Sequence, residues 1–126
     1  MRVKEEEPTA KQLKDKIIEG IQDKRGRRVV SLDISNIENS ISDYFIICHG
    51  TSNTHVDAIV DSVIDKVKKD MNEKPFSKEG LENLTWVLLD YENVVVHVFQ
   101  EEYRNFYNLE DLWADAQIET YEDEEI

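Results

Sequence analysis

The seven residues Tyr44–Gly50, YFIICHG, are apolar on both faces of an extended chain. A strand with one wet face alternates apolar and polar residues, so a run of this kind needs cover on both sides, as at the centre of a sheet flanked by helices. The next segment supplies one cover. TSNT offers side-chain oxygens to cap a helix start, and Val56, Ile59, Val60, Val63, Ile64 and Val67 then recur at i, i+3, i+4, i+7, i+8 and i+11. A strand buried on both faces that leads into an amphipathic helix predicts an α/β fold, a mixed β-sheet with helices packed on it.

The remaining segments fit that frame. Thr9–Lys24 carries Leu13, Ile17 and Ile21 at four-residue spacing beside Ile18, after Pro8, and reads as an amphipathic helix. KRGRR, Lys24–Arg28, places a glycine and cations at its end, where the helix dipole favours positive charge. VVSLDI, Val29–Ile34, is β-branched and alternating, as a strand is. MNEKPFSKEG, Met71–Gly80, breaks the helical period and leaves room for a short edge strand. TWVLLDY and VVVHVF, Thr85–Tyr91 and Val94–Phe99, are separated only by Glu92–Asn93 and form an antiparallel hairpin. Asn93 accepts a left-handed backbone more readily than Glu92, which predicts a looser turn than Asn-Gly would give. A short helix over Glu101–Phe106 and an amphipathic segment, Leu109–Ala116, close the order α-β-β-α-(β)-β-β-α. The expected organisation is a flexible segment 1–8, a single domain 9–117 and an acidic, disordered tail 118–126.

Fifteen basic residues stand against 28 acidic ones, a formal net charge of −13, and the tail IETYEDEEI holds five acids and no base. Such a balance opposes general attraction to phosphate backbones, DNA included, and favours a basic protein surface as partner. The longest unbroken apolar run, Tyr44–Cys48, is far short of the ~18–20 residues of a membrane span. The start, MRVKEEEPTAKQ, has no signal-type apolar stretch, and one cysteine makes no intrachain disulfide; a reducing cytoplasm is the expected setting.

DYFIICHGTSNTHV, Asp43–Val56, gathers an acid, a cysteine, two histidines and a serine, as an active site does. Strand alternation separates them. Cys48 and His49 point to opposite sides of the sheet and cannot make the contact that a cysteine nucleophile relies on. His49, His55 and His97 lack the i, i+4 spacing of a zinc helix, and one cysteine builds no structural zinc site. HGTSN could offer backbone amides to an anion but lacks the glycines and lysine of a phosphate loop. Asp33, Asp43 and Asp90 form no Asp-x-Asp pair on one strand face, so turn and capping duties are expected of them. No catalytic residue, metal or cofactor is expected.

The segments DYFIICHGTSNTHVDAI, Glu79–Gly80, WVLLDYENVVVHVF and YNLEDLW resemble, in order and spacing, the ribosomal silencing factor or Iojap-like family, over about Leu13–Asp115. The resemblance implies a nucleotidyltransferase-like mixed sheet without the catalytic acids and a non-enzymatic role. It implies binding to the large ribosomal subunit through large-subunit ribosomal protein fourteen, a steric block to joining of the small subunit, and repression of translation under nutrient limitation. Carried over, the family's contact region falls on Trp86, Leu88, Leu89, Asp90, Tyr91 and Glu92. A homodimer of the free protein and a minor contact to ribosomal RNA complete the expected partners, with no membrane among them. The chain departs from the family where Glu92–Asn93 replaces the usual Gly-Asp, and in its KRGRR turn and acidic tail. The residues leave two other readings open: a degenerate nucleotidyltransferase with nucleotide and Mg²⁺ near Asp33, Asp43 and Asp90, and an RNA binder acting through residues 24–28.

Overall fold

The computed structural model describes residues 9–38, 40 and 42–123; the expected flexible segment 1–8 and residues 124–126 lie outside the described residues. The first helix, α1 (Ala10–Asp23), begins with a capping box: Gln12 N–H donates to Thr9 Oγ1, and Thr9 N–H donates to Gln12 Oε1. It stops because Gly26 N–H turns back onto Ile21 O while Arg25 takes a left-handed φ of 56°. A Cβ on Gly26 would overlap the Ile21 side chain, so the turn closes only around glycine. Helix α2 (Asn53–Met71) is capped by Ser52, which accepts from His55 N–H, and ends at left-handed Asn72 with Lys68 and Lys69 in its last turn.

The strands are β1 (Arg27–Asp33), β2 (Tyr44–Gly50), β3 (Ser77–Glu79), β4 (Trp86–Asp90), β5 (Val94–Gln100) and β6 (Gln117–Thr120). They form one six-stranded sheet in the order β3-β4-β5-β2-β1-β6. β2 pairs in parallel with β5, from Tyr44↔Val94 to Gly50↔Gln100, and every other pairing is antiparallel. A parallel pair requires a crossover, and the segment from α2 through β4 provides it. β2 is buried from Phe45 to Gly50, as its doubly apolar sequence requires.

The two faces are covered unequally. α1 and α2 bury Ile17, Ile21, Val56 and Val63 against Ile46, Cys48, Val87, Leu89, Val96 and Val98. Among the described residues, the opposite face, with Leu32, Phe45, Ile47, Val95 and Phe99, is covered by the short helices α3 (Glu101–Tyr107) and α4 (Leu109–Leu112) with Trp113, and by Ile34 and Ile37 after β1. Trp86 and Leu88 lie at its margin and are only partly covered.

As far as Asp123, the tail expected to be disordered from Ile118 is ordered. β6 pairs with the outer edge of β1, with Ser31 opposite Glu119 and Leu32 opposite Ile118. Tyr121 N–H continues the ladder onto Val29 O, and the Tyr121 hydroxyl lies 3.2 Å from Ser31 Oγ. Lys14, buried beneath it, reaches Glu119 at 3.5 Å. Acidic composition disguised an edge strand, because charged residues with no apolar alternation are what a solvent-facing edge tolerates.

Candidate functional site

The segment Trp86–Glu92 is β4 and the turn after it, and the two-residue period of a strand divides it. Trp86, Leu88 and Asp90 face the thinly covered side and are half-buried, while Glu92 is exposed at the turn. Leu89 and Tyr91 face the other way, buried in the core shared with α1 and α2. These two therefore belong to the core and not to the exposed surface, and they hold β4 in place from below. Burial pushes the Tyr91 phenol well above its usual pKa.

Trp86 is fixed before any partner arrives. Its Nε1–H donates to His97 Nδ1 at 3.1 Å, its ring stacks on Phe99 with centroids 4.9 Å apart, and Tyr107 of α3 packs at 4.7 Å. Because His97 Nδ1 accepts, the ring hydrogen belongs on Nε2, which is buried without a hydrogen-bond partner. The His97 ring meets Phe45 edge-on at 5.0 Å, and Phe45 in turn meets Trp113 at 5.2 Å. This apolar setting drives the His97 pKa down to about 4, through burial alone.

Around this tile lie residues that periodicity does not reveal. Phe76 is 76% exposed; its N–H donates to Asp90 O, and with Asp90, Glu92 and Val95 it lines a shallow depression. The sequence signal for it is an isolated aromatic beside Pro75 in a polar break, which carries no period. Tyr107 and Phe106, which is 80% exposed, extend the aromatic surface at the α3 end. The strip is thus aromatic and aliphatic along its length and acidic at the turn.

That turn is strained. Asn93 N–H donates to Tyr91 O, closing a three-residue turn on Glu92, whose φ is 74°. Tyr91 N–H reaches Val94 O, and Glu92 N–H donates to Asp90 Oδ1 at 2.7 Å. The hairpin is therefore tighter than the looser turn expected, because the Asp90 carboxylate holds Glu92 in a backbone region that suits glycine.

The catalytic candidates of the opening stretch are separated as alternation requires. Cys48 lies in the α1/α2 core, where burial pushes its thiol up to about 12. His49 faces Arg104, whose guanidinium lies 3.0 Å from Nδ1. Arg104 is 2% exposed, donates also to Arg27 O and Glu110, and so ties α3 to the sheet. His55 accepts from Thr51 N–H and lies 2.7 Å from Lys24 O, joining the start of α2 to the end of α1. Asp33 accepts from Ser35 and Asp90 from Glu92, the turn duties expected of them. Among the described residues, no group of three or more His, Cys, Asp or Glu is placed to hold a metal ion.

A family described as "ribosomal silencing factor during starvation" matches residues 7–126. The chain belongs to the ribosomal silencing factor family. It is 43% identical over 97 residues to the ribosomal silencing factor RsfS of Bacillus subtilis (strain 168), covering 76% of this chain and 80% of that protein. A crystal structure of a Chromobacterium violaceum protein superposes with a TM-score of 0.80 at 33% identity, covering 85% of this chain and 88% of that one. The mouse protein named mitochondrial assembly of ribosomal large subunit protein 1 is 34% identical over 79 residues, covering 61% of this chain and 35% of its own length.

Two measurements test the physical state of this silencing-factor surface. Glu92→Gly should raise folding stability by about 1 kcal/mol in denaturant titrations, since the left-handed region costs a non-glycine residue roughly 1–2 kcal/mol; a destabilised variant would mean that the Glu92 side chain, rather than its strained backbone, matters to the turn. The His97 pKa lies below its ordinary 6.5, so the stability it lends is whole above pH ~6.5 and is withdrawn as pH falls toward 4. Its loss should amount to about 3 kcal/mol below that pH. His49, whose pKa burial and Arg104 also lower, acts in the same direction. The acid limb of a stability–pH curve should flatten in His97→Gln, and an unchanged limb would exclude this ring as its source.

Proposed function

We propose that this silencing factor binds the large ribosomal subunit through large-subunit ribosomal protein fourteen, sterically blocks joining of the small subunit, and so represses translation when nutrients are scarce. It does this in the cytoplasm as a binding protein, without catalysis. Family membership supports a ribosomal partner, and the name of the mouse relative refers to assembly of a ribosomal large subunit.

The observation that carries the reading is the strip of Phe76, Trp86 and Leu88 bounded by Asp90 and Glu92. A preorganised aromatic beside exposed apolar side chains suits the desolvated centre of an interface, where a few residues supply most of the binding energy. The acids at its end, on a chain with a net charge of −13, suit a basic rim on the partner. A block to subunit joining then needs no chemistry, only a folded body held where the other subunit must dock.

The test uses variants whose folding and binding effects separate. Phe76 is so exposed that Phe76→Ala should change stability by less than ~0.5 kcal/mol. The same variant should weaken sedimentation with purified large subunits about tenfold, and Leu88→Asp by much more. Asp90→Asn with Glu92→Gln should slow association and reduce its sensitivity to salt, because rim charges act mainly on the on-rate. Equal sedimentation of the unaltered protein with both subunits, or full inhibition of subunit joining by Leu88→Asp, would contradict the proposal.

A further inference from the structure

The turn Lys24–Arg28 is the place where a strongly acidic chain gathers exposed cations. Lys24, Arg25, Arg27 and Arg28 are all exposed, and among the described residues only Arg27 of the four makes an ion pair. Several lysines of the helices are by contrast paired with acids, as Lys16 is with Glu19 and Asp70, and Lys66 with Glu19 and Asp23. The turn is also built to keep its shape. Arg25 and Arg28 are left-handed, at φ 56° and 48°, around the buried Gly26, and His55 is bonded to Lys24 O. Lys24, Arg25 and Arg27 line one open cleft with Thr51 and His55; Asp23 also lines it, and its carboxylate is drawn off by Lys66 at 2.8 Å.

An anion already sits at the edge of this cluster. A bulge in β1 between Arg27 and Val30 turns the Arg28 amide away from β2, and that amide donates to Asp123 Oδ1 at 2.7 Å. Asp123 Oδ2 lies 3.5 Å from the Arg27 guanidinium. One carboxylate from the acidic tail thus holds a backbone N–H and an arginine, the pair of donors that a phosphate group would take.

We propose that the Lys24–Arg28 turn is a contact for the RNA phosphate backbone, and that the Asp123 carboxylate is its internal competitor, displaced when RNA engages. The choice of RNA over other polyanions rests on the ribosome-binding reading above. Position supports it: Arg27 starts β1 at the sheet end where β2 finishes and where β4 starts with Trp86. Three strand spacings, about 14 Å, separate the two along the sheet, so one ribosomal surface can present protein to the strip and RNA to the turn. The acidic remainder of the chain does not forbid the contact, because charges beyond a Debye length of ~8 Å are largely screened.

The test measures fluorescence anisotropy of a labelled RNA duplex of about 20 base pairs across a salt series. Arg25→Ala with Arg28→Ala should weaken binding at least tenfold and lower the log–log salt slope by about 2, at roughly one for each phosphate that is no longer neutralised. Arg25→Lys with Arg28→Lys should restore most of both, which guards against a turn that merely misfolds. Asp123→Asn should tighten binding about threefold to tenfold. Phe76→Ala, at a side chain that is 76% exposed, should leave duplex binding unchanged while weakening attachment to large subunits, so failure of the protein-contact reading and failure of this one give different patterns. Duplex binding indifferent to the alanine pair overturns the proposal, as does equal dependence on these arginines for phosphatidylglycerol vesicles in place of the duplex. No gain in Asp123→Asn overturns the competitor.

Discussion

The parallel pairing of β2 with β5 is the constraint from which the rest of the architecture follows. Tyr44–Gly50 must be covered on both faces, and a parallel neighbour is reached only by a crossover that itself lays α2 over one of them. Once β5 is seated, the turn at Glu92–Asn93 returns the chain antiparallel, which puts β4 one strand further out, with Trp86 opposite Phe99. The exposed strip is therefore a consequence of the central pair and not a separate design. A change that loosened β2 would disturb the strip without touching it.

The unequal cover of the two faces connects the core to the function. Under α1 and α2 the sheet side chains interdigitate with two long amphipathic helices, and the valines and isoleucines there serve stability. On the other face two short helices leave the β4 side partly open, and aromatic side chains occupy that margin. Trp86, bonded to His97 and stacked on Phe99, stands between the two regimes: its burial contributes to folding, and its remaining exposure is available to a partner. Holding such a side chain in one arrangement in advance reduces the ordering cost of binding. The buried His97 that receives its indole hydrogen bond also makes the site sensitive to acid.

Much of this was legible in the sequence, and what was not has identifiable causes. The α2 stripe from Val56 to Val67, the hairpin and the doubly apolar β2 follow from periodicity, and alternation alone separated Cys48 from His49. The same alternation splits Trp86–Glu92 into an outer and an inner set, but it does not say which set faces the long helices, and that is why Leu89 and Tyr91 entered the candidate surface. β6 was hidden because an edge strand needs no apolar period: its contacts with β1 are backbone bonds and the Tyr121 hydroxyl. Phe76 and the buried Arg104 depend on residues distant in sequence, on Asp90 in one case and on His49 and the Arg27 carbonyl in the other. No local window contains those pairings.

The central claim is that the side of the sheet carrying Phe76, Trp86 and Leu88 faces the large subunit. Hydroxyl-radical footprinting of the protein, free and bound to purified large subunits, reads it most directly, because oxidation reports the exposure of individual side chains. Phe76, Trp86 and Leu88 should lose most of their reactivity on binding, while Met71 and Ile64, on the side covered by α1 and α2, keep theirs. Protection of Met71 and Ile64 with Phe76 and Trp86 still reactive would contradict the account.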